Sequence, residues 1–241
     1  MKTTKLKIEI WSDVMCPFCY IGKRKFEKGL EEFAHKDNVD IIWKSFQLDP
    51  NLKTDPNTNI NKMLADKKGW SLERAKDMND YVTNIAKQVG LTYNFDKAIV
   101  ANSFDAHRFS HLARKHGLQD KAEEALFSAY FTEGKNTSDH NTLIELGKNI
   151  GLDSKEIEQM LTSEDYVEEV QRDIYEAQQI GVSGVPFFVI NRKYAVSGAQ
   201  ESVTFLQALN KTWSEFESEN NLISNDDTSG TSSCKANGCE S

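Results

Sequence analysis

The chain has 241 residues, of which 39% are apolar and 27% charged, and a formal net charge of -8. This composition suits a folded globular protein and excludes collagen, a coiled-coil rod and a wholly disordered chain. The acidic balance argues against a nucleic-acid partner, and no apolar run approaches the ~20 residues that span a bilayer, so no membrane association is expected.

Leu6, Ile8 and Ile10 alternate with Lys7 and Glu9, the period-two pattern of a strand. Glu9 and Asp13 interrupt any apolar signal-peptide core, and a cytoplasmic protein is expected. Ser12-Asp13 ends the strand, and Pro17 suits the first turn of a helix, where its missing N–H costs nothing. Ile21, Phe26, Leu30 and Phe33 continue that helix toward His35. Val39 to Leu48, rich in β-branched and aromatic residues, reads as a second strand. The opening is a βαβ unit with a parallel sheet.

Asn51 to Asn59 reads as a loop. Helices are predicted from Ser71 to Gly90 and at Ser103–His116, Asp120–Thr132, Asp139–Ile150, Ser154–Leu161 and Asp165–Ile180. Gly90, Gly117, Gly134 and Gly151 fall at C-cap positions, and no proline occurs between Pro56 and Pro186. Val185 to Ile190 and Lys193 to Val196 then form a hairpin around Asn191-Arg192. Glu201 to Phe216 is a closing helix, and the Ser-, Asn- and Asp-rich segment beyond Glu217 reads as a mobile tail. The fold class is α/β: residues 1–50 and 181–216 are two halves of a small βαβ…ββα domain, 51–180 a large inserted α-helical subdomain and 217–241 the tail.

The cysteines form two local pairs. Cys16-Pro17-Phe18-Cys19 sits at a strand–helix junction. There the first thiol meets unsatisfied N–H groups and the positive end of the helix dipole, which favour thiolate below the free value of about 8.5. Cys16 is therefore the nucleophile, and Cys19, one turn on, resolves the mixed disulfide. Met15 and Phe18 offer an apolar rim. Zinc ligation would need two further ligands, which only Cys234 and Cys239 could supply; no metal site is expected, and His35, His116 and His140 lack partners at ligand spacing.

Asp13, three residues before Cys16, either takes the Cys19 proton or binds helix-start and loop amides, the second being the expected role. His107 and Arg108 are read as packing or surface residues, and Lys23-Arg24-Lys25 as a solvated helix face. Trp11 and Tyr20 either line a peptide groove or pack in the core. Pro186 opens a strand at a position that spares its N–H, and X-Pro is the ordinary place for a cis bond, although most such bonds are trans.

These motifs, together with Trp11-Ser12-Asp13, Asn102-Ser103, Ala106-His107-Arg108, Gly184-Val185-Pro186-Phe187-Phe188 and Val196-Ser197-Gly198-Ala199-Gln200, resemble the thioredoxin-fold DsbA family, in particular its FrnE-like branch, over about residues 6 to 215. The resemblance implies a thioredoxin fold and a protein-disulfide oxidoreductase or isomerase, with Pro186 as a cis-proline facing the dithiol and Val185-Pro186 presenting backbone to substrate. It also makes Asn102 and His107 walls of the site. Phe18 stands where DsbA proteins usually carry His, which implies a less acidic Cys16 and a less oxidising disulfide. The branch is also similar to 2-hydroxychromene-2-carboxylate isomerases and kappa-class glutathione transferases, which leaves a glutathione-dependent isomerase or transferase as an alternative, beside a non-catalytic holdase.

The expected partners are protein thiols and disulfides. No bound cofactor is expected, with glutathione or a thioredoxin-type system as electron donor or acceptor, and the chain is expected to be a monomer or homodimer. Cys234 and Cys239, C-x₄-C around Asn237-Gly238, are read as a redox relay to Cys16–Cys19. The 18 residues from Phe216 to Cys234, taken as coil, reach about 25 Å.

Overall fold

β1 (Leu6–Ser12) is a central strand of a four-stranded sheet in the computed structural model, which describes residues 5–226. Both faces of β1 are covered. Leu6, Ile8 and Ile10 join one core with Phe26 and Phe205, whereas Trp11 joins a smaller cluster with Ala177, Val182 and Val189. Burial on both faces explains why Trp11 stands where simple alternation would place a polar residue.

The crossover helix α1 (Pro17–Glu31) leads to β2 (Val39–Ser45), parallel to β1 with Ile10 opposite Trp43. The chain-terminal half adds β5 (Phe187–Ile190), antiparallel to β1, and β6 (Tyr194–Ser197), so the order is β2-β1-β5-β6. Asn191 and Arg192 both have positive φ, 49° and 56°, the twist-matched turn of a two-residue hairpin. The closing helix α9 (Ser202–Asp226) lies against α1, where Gly29 lets the Ser202 carbonyl approach.

Between the halves lie β3 (Asp55–Asn59), α2 (Ile60–Lys68), α3 (Leu72–Gln88), β4 (Ile99–Val100), α4 (Phe104–Lys115), α5 (Gln119–Phe127), α6 (His140–Ile150), α7 (Ser154–Thr162) and α8 (Val167–Gln179). All four predicted glycine caps have positive φ. α8 covers the sheet face opposite α1. Asp173 on it accepts from Ser45 N at 3.0 Å and pairs with Lys44 at 2.7 Å and His111 at 3.1 Å, while its carbonyl accepts from Trp11 Nε1.

Three expectations need correction. Part of the predicted loop at 51–59 is β3, which pairs with β4 in a two-stranded ribbon; its Asp-Pro-Asn sequence has little strand propensity, and the partner some forty residues on imposes the pairing. The helix predicted to Thr132 changes at Ser128 into a π-helical turn, Ser128–Glu133. The closing helix does not stop at Phe216 but continues through Asp226, so residues 217–226, read as coil, are helical and the coil estimate of reach to Cys234 does not apply. Cys234 and Cys239 lie outside the described residues.

Candidate active site

The site forms where β1 hands over to α1. Cys16 has extended backbone at the N-cap of α1, Pro17 is the first helical residue, and no side chain caps the first-turn amides. The turn is closed by Cys16 N donating to Asp13 O at 2.9 Å and Cys19 N to Cys16 O at 3.0 Å. The two thiols differ in access: Cys16 is 5% exposed and Cys19 0%. Burial, reinforced by the neighbouring Cys16, pushes the Cys19 thiol well above the ordinary cysteine range.

The hairpin meets this turn from the other side. The Val185-Pro186 bond is cis, and the Val185 carbonyl accepts from Cys16 Sγ at 3.4 Å. Gly198 N donates to the Pro186 carbonyl at 2.8 Å and holds the loop. The Val185 N–H has no acceptor among the described residues. Cys16, Cys19, Pro17, Phe18, Val185 and Pro186 are thus gathered in one place, from segments about 170 residues apart.

Beside Cys16 opens an apolar groove of about 440 Å³. Met15 and Phe18 form its dithiol end, α2 supplies Ile60 and Met63, α3 supplies Met78, and Trp70 comes from the turn between the two helices. Three of these side chains are methionines, which adapt their shape to varied apolar partners. Lys67, paired with Asp49 at 2.7 Å, lies at the rim. Tyr93 buttresses the helix start by donating to the Pro17 carbonyl at 2.7 Å, and burial pushes its phenol up so that it stays neutral.

Asp13 is buried and binds loop amides: its carboxylate accepts from Met15 N at 3.2 Å and Leu48 N at 2.7 Å. His107 stands behind it, Nε2 2.9 Å from the Phe46 carbonyl and 3.8 Å from the Asp13 carboxylate. Burial opposes its protonation, but Asp13 outweighs burial and raises the imidazole above its usual range. Asn102 accepts from Phe104 N and donates to the Leu52 carbonyl at 2.8 Å, fixing the loop that rims the groove. His107 and Asn102 therefore support the site from behind and do not face the thiols. Arg108 is buried and donates to the carbonyls of Met160, Ser163 and Asp165 at the end of α7.

Trp11 and Tyr20 belong to the core, not to the groove; the Tyr20 hydroxyl donates to Glu124 at 2.6 Å. Lys23 corrects the expectation of a solvated face. It is 2% exposed and paired with Glu27, Asp120 and Glu124, because α5 packs its acidic side over α1. The groove residues of α2 and α3 escaped sequence reading altogether. Their only signal was amphipathic spacing, which serves a core and a groove alike.

The geometry agrees with comparisons to known proteins. The family model described as a DSBA-like thioredoxin domain matches residues 7–210. A probable DsbA oxidoreductase from Streptomyces coelicolor is 39% identical and superposes with a TM-score of 0.82, covering 87% of this chain and 91% of its own. The uncharacterized protein YwbO of Bacillus subtilis is 25% identical over 84% of this chain and 94% of its own length. The cytosolic disulfide reductase DsbM of Pseudomonas aeruginosa, at 16% identity and a TM-score of 0.60, shares the fold over 90% of this chain and 100% of its own. With its dithiol at the start of α1 and a cis-proline opposite, the chain belongs to the DsbA-like thioredoxin domain family.

Proposed function

We propose that the protein exchanges disulfides with protein substrates in the cytoplasm through Cys16 and Cys19. The observation that carries this reading is the position of Cys16, which lines the end of an apolar groove with its Sγ 3.4 Å from the Val185 carbonyl, while Cys19 is fully buried one turn behind. In the reducing direction the Cys16 thiolate attacks one sulfur of a substrate disulfide, and the other leaves as thiolate. Cys19 then loses its proton to solvent and attacks Cys16 Sγ. The substrate's remaining sulfur leaves as thiolate, so the two electrons of the enzyme dithiol end on the two substrate sulfurs and the enzyme is left as the Cys16–Cys19 disulfide. The oxidising direction reverses these steps. The free N–H and the carbonyl of Val185 pair with an extended substrate backbone, while the methionine-lined groove takes an apolar side chain.

Glutathione or a thioredoxin-type system supplies or removes the electrons, with no bound cofactor. A related fold, DsbM, has been solved with glutathione. Cys234 and Cys239 serve as a second dithiol that relays electrons to Cys16–Cys19. Replacing both by Ser is expected to slow recycling while leaving single-turnover exchange intact; an unchanged recycling rate rejects the relay.

The decisive experiment is a glutathione redox titration with alkylation and mass mapping of all four cysteines. A reversible Cys16–Cys19 disulfide is expected. A potential below about -250 mV marks a reductase and one above about -200 mV an oxidant or isomerase. If the two thiols never pair, the exchange reading is wrong.

A further inference from the structure

Tyr93 lies in the link between α3 and β4, inside the helical insert, yet its hydroxyl reaches the dithiol turn. It donates to the carbonyl of Pro17 at 2.7 Å, and Pro17 is bonded to Cys16 and begins α1. The Tyr93 ring is buried among aromatic neighbours: it stacks on Phe131 with centroids 4.7 Å apart and on Tyr20 at 6.2 Å, and meets Phe95 edge-on at 5.5 Å. The backbone on either side of it is fastened as well. The Thr92 carbonyl accepts from Thr132 Oγ1 at 2.7 Å, and Asn94 N donates to the Phe131 carbonyl at 2.7 Å. Both partners belong to the π-helical turn Ser128–Glu133, an irregularity of the kind that gathers at functional sites. The turn thus clasps a residue whose hydroxyl ends on the Cys-Pro-Phe-Cys segment.

The Pro17 carbonyl and the Phe18 N–H belong to one planar peptide unit and point opposite ways. In a helix the carbonyl points along the axis toward the C-terminus, and the N–H points back toward the N-cap, here Cys16. The Phe18 N–H is a first-turn amide with no acceptor among the described residues. A donor on the carbonyl polarises the whole unit and strengthens its N–H as a donor, by about 10–30% per bond. The titratable groups bearing on the phenol are Cys16, Tyr20, Cys19 and Arg24, and burial keeps it a neutral donor.

We propose that Tyr93 is a positioning residue of the exchange: by holding and polarising the Pro17-Phe18 peptide it sets how readily Cys16 ionises, and so couples the helical insert to the redox balance of the dithiol. The proposal rests on the reading of Cys16–Cys19 as an exchanging dithiol. Tyr93 acts through the backbone and keeps its proton, and no bond of the exchange forms or breaks at it. A stronger donor on the Pro17 carbonyl favours the Cys16 thiolate, hence the reduced enzyme, and makes the disulfide more oxidising. Loss of the donor does the reverse. The aromatic neighbours hold the ring without the hydroxyl, so the hydroxyl can be removed with the packing kept.

The test uses the full chain as the parent, as Tyr93→Phe, and with 3-fluorotyrosine in place of Tyr93, which makes the hydroxyl a stronger donor. Alkylation of Cys16 is followed against pH and assigned by mass mapping. The Cys16–Cys19 equilibrium with glutathione is read above the midpoint of that profile. Tyr93→Phe is expected to shift the equilibrium about two- to threefold toward the disulfide and to raise the alkylation midpoint by the matching few tenths of a pH unit. Fluorotyrosine is expected to move both readouts the opposite way. Equal midpoints in all three proteins overturn the role, and so do shifts of the same sign in both variants, which mark disturbed ring packing. Should Tyr93→Phe fold poorly, the sign of the fluorotyrosine shift against the parent decides. If the parent forms no reversible Cys16–Cys19 disulfide, the exchange reading has failed, and the alkylation profiles still decide whether Tyr93 acts on Cys16.

Discussion

A Cβ added at Gly22 would stand 2.8 Å from Pro186 Cγ, so α1 touches the cis-proline loop at the one residue type that leaves room for it. Two turns of helix join Gly22 to Cys16, and this contact helps set the Val185 carbonyl 3.4 Å from Cys16 Sγ. Gly22→Ala gains helix propensity worth about 1 kcal/mol. It overpacks the loop at a cost of about 1–3 kcal/mol. The expected result is net destabilisation in urea with a larger fall in exchange rate, because the displaced atoms are those next to Cys16, the proposed nucleophile. A variant as fast as the parent would show that the loop has slack.

On the proposed exchange reading, the groove takes the substrate's apolar side chain and the chemistry stays at the thiols. Met63 contributes to its wall on α2, away from the dithiol end. Met63→Asp places a charge in an apolar site and is expected to weaken binding of an apolar disulfide peptide by about 1–3 kcal/mol, raising KM some ten- to a hundredfold. Exchange with oxidised glutathione should hold its rate. Equal losses on both substrates would point to a damaged fold instead of a substrate wall.

His107 predicts a pH dependence of stability. Asp13 raises its folded value above the unfolded one near 6.5, so the protonated pair stabilises the fold fully below about pH 6.5 and loses that contribution as pH climbs through the higher folded value. The groups facing it are Asp13 before α1, Glu123 on α5 and the Phe46 carbonyl. Urea unfolding of parent and His107→Gln from pH 5.5 to 8.5 should show a difference that narrows with rising pH. A constant difference would mean that His107 is neutral throughout.

Asp173 fastens α8 to the sheet. Burial raises its carboxyl, but His111, Lys44 and the Ser45 N–H outweigh burial and hold it below the usual range. Asp173→Asn leaves Lys44 and His111 beside an uncharged amide and is expected to cost about 3–5 kcal/mol in chemical denaturation. The loss should be full above about pH 4 and shrink as pH falls through the lower folded value. An effect under about 1 kcal/mol would class the pair with exposed salt bridges.

Much of the site was legible because its signals are local. Pro17 after Cys16 marks a helix start, a cysteine three residues on lies one turn away, and alternation through Leu6, Ile8 and Ile10 marks a strand ahead of them. Asn191-Arg192 announced a turn, and four glycines announced helix ends. What these features share is that their cause lies within a few residues of their effect. They determined the α/β order, the dithiol at the head of α1 and the placing of Asp13 against loop amides.

Tertiary structure alone decided the rest. Pro186 reads as the start of a strand until the fold brings the Val185 carbonyl to 3.4 Å from Cys16 Sγ across about 170 residues. Lys23 reads as a surface lysine until the acids of α5 close over it. The chain from Asp55 to Asn59 has no strand character of its own and takes it from Ile99 and Val100. The groove exists because the fold sets residues of α2 and α3 opposite Met15 and Phe18, some forty to sixty residues away in the chain. In each case the energy that fixes the residue comes from a partner far away in the chain. Desolvation, ion pairing and a ladder bond depend on what the fold brings near, and no pattern within a short window encodes it.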